Sequence, residues 1–340
     1  MKYHLFSPLQ KSVGKKFTDK CPICGTKPFF TLKSKVYIDN LTISQRKVVT
    51  EYFKLRNEPS PEEVISFCSN CRAAYRANFF DAYEIGKIYN NTYKSLEEKI
   101  SGDPGFVYNN ERYSKGCSEK MLGLVKDFEK KYGIKVSECF DIGGRDGFRL
   151  RDLANNGYNC KVFDPISCEV CDAKISKEHI WSYEIKEDEK ADFIFLCSVL
   201  EHSIDPCKMI KDCYAHLREG GFLYIVLPSD IETVFDWILF NIWRKRNLAI
   251  DNTHYIFFSK RSIIYLLESI GFDFVSCDFS ILPDIQVNSL EIVCQKRKME
   301  KSKLSKWLSF DFDLFSSGYL VRLIPRLIKK IIRIRSKYKR

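Results

Sequence analysis

Two apolar runs constrain this chain more than any other feature: Ala191–Cys197 (ADFIFLC) and residues 222–227 (FLYIVL), with one amphipathic stretch between them. A segment apolar at consecutive positions has no face to give to water. Each run therefore reads as a strand covered on both sides, the situation of parallel strands in α/β proteins. The stretch from about 205 to 218 reads as a helix closed by Gly220-Gly221. Further short runs at 139–142 and 160–163, a helix over 260–269 ending at Gly271, and strands near 272–278 and 287–294 extend the pattern. Strands alternating with helical stretches predict an open, doubly wound sheet over residues 136–295.

Three other regions differ in character. Residues 1–80 hold two Cys-x-x-Cys pairs with little periodicity, residues 81–135 read as a helical connector rich in Tyr, Lys and Glu, and residues 296–340 are basic. The formal charge of +11 suggests a nucleic-acid binder until it is divided along the chain. From Lys296 to Arg340 there are 15 Lys/Arg against 3 Asp/Glu, which leaves the other 295 residues at −1. A neutral body without a basic stripe argues against nucleic acid. The first ten residues lack the apolar core of an export signal, and 14 cysteines without one point to a reducing, cytoplasmic setting and to metal binding over disulfides.

The sharpest constellation is Asp141-Ile142-Gly143-Gly144-Arg145-Asp146-Gly147, between a strand and a helix. Glycines there let backbone approach a ligand at the carboxyl ends of the strands. The dinucleotide fingerprint needs another glycine spacing, and Asp141 and Asp146 put negative charge where a pyrophosphate would lie. Acid around a glycine loop suits a cationic ligand instead. Asp164, closing the second strand, can accept both hydroxyls of a ribose. Loop and ribose acid together describe S-adenosylmethionine better than a dinucleotide.

The loop, Phe163-Asp164-Pro165, Val199-Leu200-Glu201-His202 with Asp205-Pro206, and Leu217 to Gly221 stand in an order that resembles the successive motifs of class I S-adenosylmethionine-dependent methyltransferases. The resemblance implies a Rossmann-like seven-stranded sheet with an antiparallel last strand. It also implies cofactor contacts from Asp141, Gly143, Gly144, Gly147 and Asp164, with Cys197 and Ser198 alongside. Arg145 stands where that family commonly has glycine, so the middle of the loop is expected to take a different path.

Cys21-Pro22-Ile23-Cys24-Gly25 and Cys68-Ser69-Asn70-Cys71 have the form of metal knuckles, and together they can complete a four-thiolate tetrahedron around a structural zinc. The separation exceeds the usual spacing, so an insertion near 44–55 is expected to span it. Cys168 and Cys171 read as filler. A zinc ribbon before such a core, followed by a segment like Ile88 to Tyr93, resembles a subgroup of bacterial methyltransferases of sugar and surface-polysaccharide biosynthesis. That implies a nucleotide- or lipid-linked sugar acceptor. An RNA methyltransferase and a non-catalytic binding subunit are the alternatives.

Methyl transfer to a hydroxyl or an acidic carbon needs a group to take the proton. His202, after the fourth strand, and His254, in the insertion after the fifth, are the candidate catalytic residues. Glu201-His202 could instead brace the loop and cap the next helix, and His254 could anchor the insertion to the core. The apolar stretch 234–243 in that insertion reads as core, dimer face, lid over the acceptor or membrane-facing wedge. In residues 319–340 Leu320, Leu323, Ile324, Leu327, Ile328 and Ile331 share one helical face and basic residues the other, the pattern of a helix lying on an anionic membrane surface.

Overall fold

The structure, a computed structural model, describes residues 18–35, 62–77, 111–164, 171–179, 188–228, 254–282 and 287–297. Two sheets organise them. The larger has seven strands: β4 (Glu138–Ile142), β5 (Asn159–Asp164), β6 (Ile175–His179), β7 (Ala191–Cys197), β8 (Leu217–Pro228), β10 (Phe272–Leu282) and β11 (Val287–Lys296). Their order is β10-β11-β8-β7-β4-β5-β6. All pairings from β8 to β6 are parallel, and β11 runs antiparallel to both of its neighbours. This is the Rossmann-like sheet with a reversed last strand that the sequence predicts.

The apolar runs explain its centre. Phe193, Ile194, Phe195 and Leu196 of β7 are all fully buried, because helices cover both faces. On one face α1 (Glu111–Tyr132) buries Met121, Val125 and Phe128 at helical spacing. Phe128 meets Phe222 edge-on with ring centroids 4.8 Å apart. The helix ends at Gly133, whose φ of 62° is the left-handed stop that glycine provides. On the other face lie α3 (Pro206–His216) and α4 (Lys260–Ile270). Ser259 and Ser262 cap α4 reciprocally, and Gly271 terminates it. A short helix, α2 (Arg151–Asn155), follows the glycine loop.

Three expectations change here. The helix starting at residue 206 stops at His216, and Gly220-Gly221 falls inside β8 instead of closing it. Gly221 is needed for close packing, since a Cβ there would sit 2.9 Å from the Arg218 carbonyl oxygen. The cap of α3 is Asp205, which accepts the Lys208 amide at 2.9 Å, so Glu201 does not serve it. The edge strand β6 (ISKEH) has no apolar run to announce it.

The smaller sheet is antiparallel: β1 (Phe30–Lys35), β2 (Glu62–Phe67), β3 (Ala74–Arg76) and β9 (Ile256–Phe257), in that order. Its last strand comes from far along the chain. Cys21, Ile23, Cys68, Cys71 and Tyr75 accordingly pack in one apolar cluster with Ile194, Leu196 and Leu267 of the larger unit. Among the described residues no helix is long and apolar enough to cross a membrane. The segments 44–55, 88–93 and 234–243 and the tail from 298 lie outside the described residues.

Candidate active site and cysteine cluster

Strands β7, β4 and β5 are adjacent and parallel, so their carboxyl ends lie side by side. These ends carry Ser198, Gly143 and Asp164. The glycine loop is tied down where it leaves β4: the Gly143 amide donates to the Phe163 carbonyl at 2.7 Å. Gly143 has φ 71°, and a Cβ on it would come within 2.5 Å of a Val199 methyl. A Cβ on Gly144 would meet the Asp141 carboxylate at 2.5 Å. The two glycines therefore let the loop lie flat between the β7 end and the acid beneath it. Gly147 (φ 80°) begins the helical turn that follows, donating to the Gly144 carbonyl at 2.9 Å.

Arg145 takes a left-handed φ of 56°, and its amide donates to Asp164 Oδ2 at 2.8 Å. Asp164 thus braces the loop as well as ending β5. Ser198 also has a left-handed φ of 56° and is exposed at the strand end, while Cys197 before it is buried.

Asp141 is fully buried, and among the described residues neither of its oxygens has a hydrogen-bond partner. Burial pushes its carboxyl up to about 7, against the pull of Arg149, whose Nη1 lies 4.0 Å from Oδ2; Asp164 and Asp146 push it further up. Arg149 is one cation beside this carboxylate, and a sulfonium ligand with an amino group would add a second, so the residues present fit S-adenosylmethionine. Arg149 was not visible as a site residue in the sequence, because its position on the helical turn after the loop sets its reach.

The second part of the site lies past β7. The turn Leu200–His202 brings Glu201 and His202 toward His254, which precedes β9. Glu201 Oε1 is 3.8 Å from His202 Nε2, and the two imidazoles meet at 70° with centroids 4.8 Å apart. Glu201 is 1% exposed and His254 8%. The two segments are joined through backbone: Tyr255 N–H donates to the Glu201 carbonyl at 2.7 Å, and Arg76 of β3 donates to the His254 carbonyl. The structure thus brings the two candidate histidines together, with a buried glutamate beside them.

The four cysteines of the two Cys-x-x-Cys pairs also converge. Cys21 and Cys71 sulfurs are 3.5 Å apart, Cys24 and Cys68 3.3 Å, and all four fall within 4.8 Å of one another. Tetrahedral sulfurs about 2.3 Å from zinc stand about 3.8 Å apart, so this donor set fits that ion. Each pair sits in a knuckle. Gly25 (φ 70°) donates back to the Cys21 carbonyl, and Arg72 (φ 66°) does the same to Cys68. Thr26, which the sequence did not single out, brings its hydroxyl 2.9 Å from the Cys24 sulfur and 3.1 Å from that of Cys68. The hydrogen bond from the Cys71 thiol holds Cys21 down to about 6 and pushes Cys71 itself up. Four thiolates this close require a cation to ionise together. Cys171 is exposed and outside both groups of converging ligand atoms, and Cys168 lies outside the described residues.

A family model described as a methyltransferase domain matches residues 111–277, just under half of the chain. Comparison with curated proteins gives no match. Among solved structures, the chain is similar to 1,6-didemethyltoxoflavin-N1-methyltransferase of Burkholderia thailandensis, bound to its substrate and S-adenosylhomocysteine, at 13% identity and TM-score 0.48, over 69% of this chain and 96% of that one. It is similar to N-methyltransferase NodS of Bradyrhizobium japonicum at 16% identity and TM-score 0.42, over 62% of this chain and 100% of that one. A SAM-dependent methyltransferase of Methanosarcina mazei shares 21% identity at TM-score 0.38, over 48% and 94% of the two chains. The family-model match over residues 111–277 supports an S-adenosylmethionine-dependent methyltransferase.

Proposed function

We propose that the chain transfers a methyl group from S-adenosylmethionine to a sugar or glycan precursor, nucleotide- or lipid-linked, and that its cysteine cluster is a structural zinc site. The observation that supports the transfer is the loop: Asp141, a buried carboxylate with no hydrogen-bond partner among the described residues, lies under glycines that have no room for a Cβ. Gly143 and Gly144 let the backbone approach the cofactor, Asp164 accepts the ribose hydroxyls, and Ser198 borders it. The cofactor supplies an already activated methyl on a sulfonium. The protein's task is then to hold the acceptor in line and manage its proton. Glu201, His202 and His254 are the polar group at that end of the sheet. The acceptor loses H+, its new bond to carbon forms as the S–CH3 bond breaks, and S-adenosylhomocysteine leaves.

The sugar class rests on the resemblance of a ribbon, the Ile88 to Tyr93 segment and this core in succession. The basic helix read over residues 319–340 suits an anionic membrane surface, where a lipid-linked acceptor would be found; each basic residue near such a surface contributes roughly 1 kcal/mol. Calorimetric titration of S-adenosylmethionine and S-adenosylhomocysteine into wild type and Asp164→Ala tests the cofactor site. Saturable binding, weakened at least tenfold in the variant, is the expected result. Absence of binding to folded, zinc-loaded protein overturns the reading. Methyl transfer to a panel of nucleotide-linked sugars then tests the acceptor class.

A further inference from the structure

We infer that Glu201, His202 and His254 form a second metal site, distinct from the cysteine cluster, which takes a divalent transition cation. One ligand atom from each of the three residues lies within 4.8 Å of the other two. Nitrogen and oxygen ligands about 2.1 Å from one ion in tetrahedral geometry stand about 3.4 Å apart. The 3.8 Å between Glu201 Oε1 and His202 Nε2 is closed by a small side-chain rotation. The edge-to-face imidazoles, 4.8 Å between centroids, are oriented as two rings sharing one ion can be.

Chemistry selects the cation. Two imidazoles with one carboxylate suit zinc, cobalt, manganese or iron, whereas magnesium and calcium prefer all-oxygen sets. Burial argues the same way. The Glu201 side chain is 2% exposed, and its contact with His202 is an ion pair only when that imidazole is protonated. A divalent cation satisfies the carboxylate and two neutral imidazoles together. The ligands are also positioned before any ion arrives. Tyr255 N–H holds the Glu201 carbonyl, and Arg76 from the cysteine-bearing sheet holds that of His254. Three protein ligands leave a coordination position open, the arrangement of catalytic rather than structural metal sites.

The ligating turn starts just past Val199, whose methyl lies against Gly143 of the cofactor loop. The proposed site therefore adjoins the cofactor loop. A role for the ion in catalysis rests on the methyl-transfer reading; the presence of the site does not. An acceptor hydroxyl held on such an ion would ionise more readily than in water, and its proton would pass to solvent.

The test is Co2+ titration of full-length protein whose cysteine cluster already holds zinc, read by absorption and by metal analysis. The expected result is a second equivalent per chain, giving weak visible bands without thiolate charge transfer. Glu201→Gln and His254→Asn should each reduce the total from two equivalents to one. His202→Gln, at a more exposed position, does the same if the buried variants fold poorly; a full zinc equivalent in the cysteine cluster reports folding in each. One equivalent in wild type, or a second equivalent that survives all three substitutions, overturns the site and leaves the histidines as bases. Calorimetry with S-adenosylmethionine separates the two readings. Cofactor binding with one metal sinks only the second site, and two metals without cofactor binding sink only the methyltransferase reading.

Discussion

The two sheets of this molecule are held together by different means. The seven-stranded sheet is sandwiched between two apolar clusters, and its central strand buries four consecutive large side chains. Among the described residues the four-stranded sheet buries Val64, Ile65, Phe67, Ala74, Tyr75, Ile256 and Phe257, with no run of consecutive large side chains as long as that of β7. It borrows β9 from the larger unit and lends its own Cys21, Ile23 and Tyr75 to that unit's core. Cys207, on α3, points its thiol at the carbonyl oxygens of Pro22 and Ile23, 3.4 and 3.2 Å away. We propose that ligand chemistry at the cysteine cluster, together with docking, holds the small sheet.

Removing the proposed zinc from the cysteine cluster is the strongest way to break that comparison. Structural zinc contributes on the order of 10 kcal/mol in sites of this type. Chelation, or Cys71→Ser, should raise hydrogen exchange of the β2 amides at least 100-fold while the β7 amides keep their protection. Unchanged exchange in β2 would mean that docking alone holds the small sheet. The complementary experiment is Phe195→Ala. Phe195 is fully buried and 4.9 Å from Phe193, ring to ring, so its truncation should cost about 4 kcal/mol in denaturant unfolding. That loss should be the same with and without the chelator.

The difference between the sheets also explains what was legible in the sequence. Continuous apolar runs announced β7 and the body of β8, because a strand buried on both faces has no polar positions. β6 escaped since an edge strand such as ISKEH can be polar throughout. The glycine loop and the cysteine knuckles were readable because each is a local spacing. What joins them was not. β9 is two residues long, and its pairing with β3 is a tertiary event that no local pattern encodes. His202 and His254 were each visible as candidates, but their meeting depends on that pairing. The same holds for Arg76, Arg149 and Thr26, whose roles come from where other segments place their partners.

A smaller effect sharpens the account of the cofactor loop. Asp141 has its carboxyl raised to about 7 in the folded chain from an ordinary 3.8, chiefly by burial. The protonated form is therefore favoured by folding. Stability is fully present below about pH 4 and is lost as pH rises toward 7, by roughly 4 kcal/mol. Asp141→Asn should abolish that slope, making the variant more stable than wild type at pH 8 but not at pH 4 in thermal unfolding. A cationic ligand favours the ionised carboxylate, so S-adenosylmethionine affinity in wild type should increase with pH up to about 7. In Asp141→Asn it should be weak and flat. A pH-independent wild-type affinity would place the cofactor's charge elsewhere.

The smallest predicted effect isolates Arg145. An L-residue at φ 56° costs about 1 kcal/mol relative to glycine. Arg145→Gly alone cannot show this, because it also deletes the side chain. Arg145→Ala deletes the same contacts yet keeps a Cβ in the left-handed conformation. Glycine should therefore exceed alanine in stability by about 1 kcal/mol, the reverse of their order at ordinary positions. If alanine is the more stable, the loop relaxes to negative φ when the side chain is gone. The Arg145 amide bond to Asp164 would then depend on the guanidinium, and Asp164 would be a less rigid partner for a ribose than its geometry here implies.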